Sequence, residues 1–315
     1  MIYRPSLTSR QPTSWPAFRR TGSLLRVALI GLLAWAVPAA DARIVHKERS
    51  LYRTILVDKD GSRLCMQFSV VNDQRNQSCM NTQKPDELVF DYAKLVFAGL
   101  LFNSQPKRIL IVGLGGGSLP QAFRKLLPDA VIDVVEIDSA VVKVAEEHFN
   151  YRTSAPGELF VQDARIFGKR AVAKSRSYDM ILLDAFNGDY IPEHLMTREY
   201  LSETQKLLSP GGVLLANTFS ISKLYHHEGA TYASVFGRFQ TVSTPSSSNR
   251  IIMAVNGPLP SDSAIDANEL RWKKPLKPLG VDIRQVRESI SNKVDYDVNA
   301  RVLTDQYSPA NLLQN

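Results

Sequence analysis

The sequence predicts a doubly wound α/β fold, a mostly parallel sheet with helices on both faces, preceded by a small β domain. Three features of the 315-residue chain predict it. From Arg108 onward, apolar runs of strand length alternate with helical segments, as in a parallel sheet whose crossovers are helices. The first of those runs, residues 109–112, enters a glycine cluster of Gly113, Gly115, Gly116 and Gly117. An acidic pair, Glu136 and Asp138, follows about twenty residues later, the layout of a nucleoside-binding βαβ unit. Before Pro85 the chain reads instead as short strands separated by tight turns.

The opening forty residues are different in kind. They hold five arginines (Arg4, Arg10, Arg19, Arg20, Arg26) and no acid, then an apolar run over residues 27–37, then Pro38-Ala39-Ala40-Asp41-Ala42. A basic head, a short apolar core and a small-x-small end make a secretory signal, residues 1–42, with cleavage expected near Ala42. Its 11 apolar residues fall short of the about twenty that span a bilayer. Export to the periplasm or medium is therefore expected, and a cytoplasmic location if the start codon is misassigned. Without the leader the chain keeps 33 basic and 30 acidic residues, and its net charge drops from +7 to +3. That balance gives no electrostatic case for nucleic acid.

Residues 43–105 read as a β-hairpin domain plus a helix. Strands are expected over residues 50–57, 63–71 and 74–80, with turns at Asp58-Lys59-Asp60-Gly61 and Asn72-Asp73. Leu64, Met66, Phe68 and Val70 alternate, so one face is apolar. Cys65 and Cys79 are the only cysteines, and a hairpin centred on Asn72 sets them opposite one another. In an oxidising compartment they would form a cross-strand disulfide worth about 3 kcal/mol, and two free thiols are the alternative. Residues 85–102 space Leu88, Tyr92, Leu95, Val96 and Leu100 as a helix does, and residues 103–107 are a linker.

Residues 106–258 carry the glycine unit. Glycine lets the backbone turn sharply and approach a ligand closely. Ser118 and Gln121 suit a capping box for the next helix, with Pro120 in its first turn. A dinucleotide fingerprint wants glycine where Ser118 stands, whereas G-x-G-G-G suits an S-adenosylmethionine-type pocket that binds no pyrophosphate. The expectation is a Rossmann-like fold of the class I methyltransferase type. Further strands are expected over residues 158–162, 178–183 and 212–217, helices over 139–149 and 197–208, and a closing hairpin over 239–243 and 251–255. Pro210-Gly211-Gly212 is a helix-to-strand turn, and residues 259–315 read as a polar, proline-spotted tail.

In an open parallel sheet ligands bind beyond the carboxyl ends of the strands. Those ends carry the glycines, Glu136, Asp163 and Asp184. Glu136 is placed to accept hydrogen bonds from both ribose hydroxyls, and Asp163 from an adenine amino group. Asp184 opens a loop that also carries Asp189, where the reacting end of the ligand should lie. The histidines, His46, His148, His194 and the pair His226-His227, show no convergent metal spacing, so no metal is expected.

Residues 50–255 resemble the spermidine synthases, or polyamine aminopropyltransferases, and more closely their divergent relatives. The resemblance rests on the N-terminal β segment, Val-Gly-Leu-Gly-Gly-Gly-Ser-Leu, Val-Glu-Ile-Asp, Asp163-Ala164-Arg165, Tyr-Asp-Met-Ile-Leu-Leu-Asp-Ala-Phe, Ile191-Pro192-Glu193-His194-Leu195 and Leu-Ser-Pro-Gly-Gly-Val-Leu. It implies transfer of an aminopropyl group from decarboxylated S-adenosylmethionine to a diamine such as putrescine. Gly113, Gly115, Gly117, Glu136, Asp138, Asp163 and Ala164 would then hold the nucleoside. Gln77, Tyr92, Asp184, Asn187 and Tyr190 would meet the amine, with Asp184 and Asp189 catalytic. A protonated amine cannot attack, so a carboxylate must orient it and help remove its proton. Three positions depart from the family pattern. Gly116 stands where the G-G-G-D-G-G aspartate holds the aminopropyl ammonium, leaving room for a ligand carboxylate. Asn187 replaces the second acid of D-x-x-D, with Asp189 as substitute. Phe90-Asp91 replaces the Tyr-His pair after Asp86-Glu87, with Tyr92 or Asp91 as stand-ins. Methyl transfer from S-adenosylmethionine and non-catalytic binding remain the alternatives, and a homodimer is left open.

Overall fold

The computed structural model describes residues 43–69, 76–187 and 190–307. The leader, the turn Asn72-Asp73 and Asp189 lie outside the described residues. Two sheets organise the chain. The first is antiparallel, in the order β1 (Arg43–Arg49), β2 (Thr54–Asp60), β3 (Arg63–Ser69), β4 (Asn76–Asn81) and β5 (Lys84–Leu88). Ile55, Val57, Leu64, Met66 and Phe68 bury its apolar face against the rest of the molecule. Residues 50–53, expected within a strand, instead turn from β1 into β2, with the Ser50 hydroxyl accepting from the Tyr52 and Arg53 amides. Cys65 and Cys79 face one another across β3 and β4 and are joined as a disulfide.

The single helix expected over residues 85–102 is not found. Residues 84–88 pair with β4 as an edge strand, which tolerates Pro85 because an outward-facing position needs no donor. The helical part is short and broken: α1 (Asp91–Leu95), a 3-10 turn (Val96–Ala98) and α2 (Gly99–Phe102). At Gly99 an added Cβ would lie 2.7 Å from Leu215 Cδ1, so this stretch is pressed directly onto the second sheet.

That sheet is built from β6 (Arg108–Val112), α3 (Ser118–Leu126), β7 (Val131–Glu136), α4 (Ser139–His148), β8 (Leu159–Val161), α5 (Ala164–Ala173), β9 (Tyr178–Leu183), α6 (Arg198–Gln205), β10 (Leu208–Phe219), α7 (Tyr225–Phe236), β11 (Gln240–Val242), β12 (Asn249–Val255), α8 (Asp262–Trp272), α9 (Ile283–Glu288) and β13 (Ile290–Ser291). Its strand order is β13-β11-β12-β10-β9-β6-β7-β8. Strands β6 to β10 are parallel, and β12, β11 and β13 are added antiparallel. The chain runs outward from β6 to β8, then returns to lay β9 on the other side of β6. The gap between the ends of β6 and β9 is the topological switch point where such sheets bind ligands.

Alternation along the strands builds a core on each face. Ile109, Ile111, Met180, Leu182, Val213, Leu215, Ile251 and Met253 point one way, and Leu110, Val112, Ile181, Leu214, Ala216, Ile252 and Ala254 the other. The first face is covered by α1, α3, α4, α8, α9 and the N-terminal sheet, the second by α5, α6 and α7. The Pro210-Gly211-Gly212 turn is absorbed into β10 as a break in its register with β9 between Leu208 and Val213. The stretch expected as a tail folds: Trp272, Leu276, Leu279, Val281, Ile283 and Val286 join the first core and β13 extends the sheet. Among the described residues no helix is long and apolar enough to cross a membrane.

Candidate active site

A cleft of about 870 Å³, its open mouth included, lies at the switch point. Its floor is the loop after β6. Gly113 has φ +98, and a Cβ there would stand 2.2 Å from the Asp184 carbonyl oxygen. The ends of β6 and β9 therefore meet across a bare backbone, and only glycine fits. Gly115 also lines the cleft with positive φ. Gly117 does not line it. It is the left-handed N-cap of α3, packed so that a Cβ would lie 2.5 Å from Tyr151. The expected Ser118–Gln121 capping box is absent, since Gln121 Nε2 donates to the Phe149 carbonyl instead.

Glu136 ends β7 inside the cleft. Its two carboxylate oxygens accept from the Leu114 and Asp138 amides, each at 3.0 Å. Burial raises its pKa above the usual carboxylate range, and those two hydrogen bonds and nearby Arg53 oppose the rise. Each oxygen keeps a second lone pair for a ligand hydroxyl. Asp138 lies behind this wall rather than on it: it caps α4 through the Ala140 amide (2.9 Å) and accepts from Ser50 Oγ (2.6 Å). Asp163 and Ala164 line the opposite wall at the start of α5. Asp163 caps that helix through the Ile166 amide and pairs with His194 Nε2 at 2.8 Å. His194 itself lines the cleft.

Asp184 stands at the end of β9 on the cleft wall. Asn217 Nδ2 donates to its Oδ1 at 2.8 Å and the Tyr92 hydroxyl to its Oδ2 at 3.3 Å. Asn217 is held in turn by Asn249, whose Nδ2 donates to Asn217 Oδ1 at 2.9 Å. Burial pushes the Asp184 carboxyl up to about 7, against the pull of those two donors. Tyr92 is pushed well above its ordinary value by burial and by the neighbouring carboxylate, so it remains a donor. A buried carboxyl poised near neutrality, with its charged form held by two donors, is equipped to take up a proton.

The N-terminal sheet supplies the roof through Phe68, Gln77 and Ser78, with Arg53 from the turn before β2. The Arg53 guanidinium lies over the Phe68 ring, 4.3 Å from its centroid, donates to the Phe186 carbonyl at 3.1 Å, and stands 3.9 Å from Asp138. Asn187 and Tyr190 are not in the cleft lining. They bond to each other, side chain to side chain and backbone to backbone. Arg53, Ser78 and Asn217 are not singled out in the sequence, and His194 is named there only within the motif of residues 191–195 and among the histidines without metal spacing. The parallel register could have found one of them, because pairing Ala216 with Leu183 sets Asn217 beside Asp184.

Residues 91–246 match the family model for the spermine/spermidine synthase domain. A polyamine aminopropyltransferase of Vibrio vulnificus is 44% identical over 293 residues, which cover 92% of this chain and 98% of that protein. The chain belongs to the polyamine aminopropyltransferase family. The crystal structure of a probable spermidine synthase from Corynebacterium glutamicum shares the aminopropyltransferase fold with it at TM-score 0.60 and 21% identity, covering 81% of this chain and 97% of that one. Human methyltransferase-like protein 13, solved with SAH, superposes at TM-score 0.52 and 22% identity over 66% of this chain and 97% of that one. Both share its Rossmann-like, methyltransferase-type fold, to which this chain adds the N-terminal antiparallel sheet.

Against the aminopropyltransferase motifs, Tyr92 rather than Asp91 reaches the acid at the centre of the cleft, while Asp91 bonds Ser246 and Lys94 outside it. The room expected at Gly116 is not there. A Cβ at that position would lie 2.8 Å from Ser78 Oγ and 3.0 Å from Phe149 Cδ1, so side chains from elsewhere fill the space an aspartate would take.

Proposed function

We propose that this chain transfers an aminopropyl group from decarboxylated S-adenosylmethionine to a diamine such as putrescine. The observation that carries the reading is the buried Asp184 carboxyl at the switch point, braced by Asn217 and Tyr92. The nucleoside would lie between Glu136 and Asp163, with its ribose hydroxyls on Glu136. Ionised Asp184 attracts the amine's ammonium and accepts its proton. The freed nitrogen lone pair then forms a bond to the aminopropyl carbon beside the sulfonium, and the carbon–sulfur bond breaks with its electron pair going to sulfur. The products are the extended polyamine and methylthioadenosine, and the proton passes from Asp184 to solvent. Ser78 Oγ, at the roof beside Gly116, stands in for the missing aspartate as a polar contact for the aminopropyl end. Asp189, outside the described residues, remains a proposed second acid.

A second reading, methyl transfer from intact S-adenosylmethionine, is favoured by Arg53, a buried cation in the cleft wall that would suit a ligand carboxylate. Incubating the purified chain with putrescine and either sulfonium donor separates the two. Methylthioadenosine release supports aminopropyl transfer, S-adenosylhomocysteine supports methyl transfer, and binding without turnover, unchanged in Asp184→Asn, sinks both.

We also propose export. The leader's charge and apolar pattern and the Cys65–Cys79 bridge support it, since disulfides persist in oxidising compartments. Recovery of a reporter fused to residues 1–50 in the cytosol alone would remove this proposal.

A further inference from the structure

The middle of β1 and the last turn of α4 bring together histidines that lie far apart in the chain. One ligand atom each from His46, Glu147 and His148 lie within 4.8 Å of one another. The two imidazole rings are 4.6 Å apart between centroids, tilted at 46°. The Nε2 atoms of both histidines are buried and make no hydrogen bond among the described residues. Each faces a carboxylate oxygen instead, Glu48 Oε2 at 3.4 Å from His46 Nε2 and Glu147 Oε2 at 4.0 Å from His148 Nε2, so two imidazoles and two carboxylates share one small space. A fourth donor is at hand: Glu48, two residues from His46 on the same face of β1, places Oε2 3.4 Å from His46 Nε2. Its other neighbour is Lys143, at 2.8 Å.

We propose that His46, Glu147 and His148 hold one divalent late transition-metal ion, with Glu48 or water completing the shell, and that the ion ties β1 to α4. The donor set of two imidazoles and a carboxylate suits Zn²⁺ and its neighbours rather than Mg²⁺ or Ca²⁺, which take oxygen shells. A tetrahedral zinc shell sets adjacent ligand atoms about 3.4 Å apart. The His46–Glu48 separation already has that value, and half-exposed Glu147 has a flexible side chain to close the rest of the 4.8 Å spread. The position gives the ion a consequence. At the other end of α4 Asp138 binds Ser50, in the turn that carries Arg53 to the cleft. A metal at His46 and His148 would fasten the remaining end of the same helix to the same N-terminal sheet.

The test uses untagged protein stripped with a chelator and then titrated with ZnCl₂ by calorimetry, with CoCl₂ as a spectroscopic probe. The expected result is one ion per chain at micromolar or tighter affinity, a higher melting temperature with Zn²⁺, and Co²⁺ absorption bands of a four-coordinate N/O site. His46→Gln and His148→Gln should each weaken binding by about a hundredfold or more, and Glu147→Gln by less. Circular dichroism of the stripped variants checks that they fold, and His46→Gln, on an edge strand, serves if His148→Gln does not. Absence of saturable micromolar binding, or binding kept in both histidine variants, overturns the proposal. Turnover by the stripped wild type should persist, so failure of this inference is distinguishable from failure of the proposed reaction.

Discussion

Asn217→Ala offers the most direct test of how Asp184 is tuned. Asn217 donates to the charged form of that carboxyl at 2.8 Å and is one of the two donors opposing the rise that burial imposes. A hydrogen bond to a charged group contributes about 1.5–3 kcal/mol, and about 1.4 kcal/mol is one pKa unit, so its loss raises Asp184 by about one to two units from about 7. If Asp184 must be ionised to accept the proton, activity is lost as pH falls through its pKa. The acid limb of the kcat/KM profile should therefore move upward by about one to two units. At a pH equal to the wild-type value, the ionised fraction drops from one half to between about one tenth and one hundredth, and kcat/KM falls about 5- to 50-fold. Raising the pH should restore most of the loss. The variant also leaves Asn249 Nδ2 without its acceptor, a cost of about 1–3 kcal/mol that urea denaturation will register separately. An acid limb that stays in place while the rate drops equally at every pH would refute the assignment of Asp184 as the proton acceptor.

Three further outcomes follow from the geometry. Asp184→Asn should abolish turnover yet stabilise the fold at neutral and alkaline pH. The wild-type carboxyl titrates near 7 when folded and near 3.8 when unfolded, so its stability falls as pH rises between those values. The gain should reach at most about 4 kcal/mol above that window and vanish below it, as read by urea melts across pH. Gly113→Ala must push the Asp184 carbonyl aside; it should destabilise the chain by about 1–3 kcal/mol and weaken methylthioadenosine binding measured by calorimetry. Arg250→Met leaves buried Glu228, now 3.1 Å from the guanidinium, without its partner, and should cost about 3–5 kcal/mol in equilibrium unfolding with little change in ligand affinity.

How far each element was legible depended on where its determinants lie. Strand β9 is an apolar run buried on both faces, and its bounds followed from composition alone. The glycine turn was legible because its backbone angles exclude other residues. The broken helix was not, because its breaks come from pressure against Met180 and Leu215, residues far away in sequence. The C-terminal helices were hidden because Trp272, Leu276, Leu279 and Val281 are set among prolines and lysines without one helical period. In the site, strand-end acids could be marked from their position. Arg53, Ser78 and the cleft position of His194 could not, since another chain segment completes the site around each of them, whereas Asn217 follows once β10 is set in parallel register with β9.

The cleft's roof belongs to the first sheet and its floor to the second, so an occupant touching both acts as a bolt between them. Substrate should accordingly slow hydrogen exchange in β3 and β4 as well as around the glycine turn. A nucleoside that protected only the floor would mean that the upper half closes later in the cycle than capture.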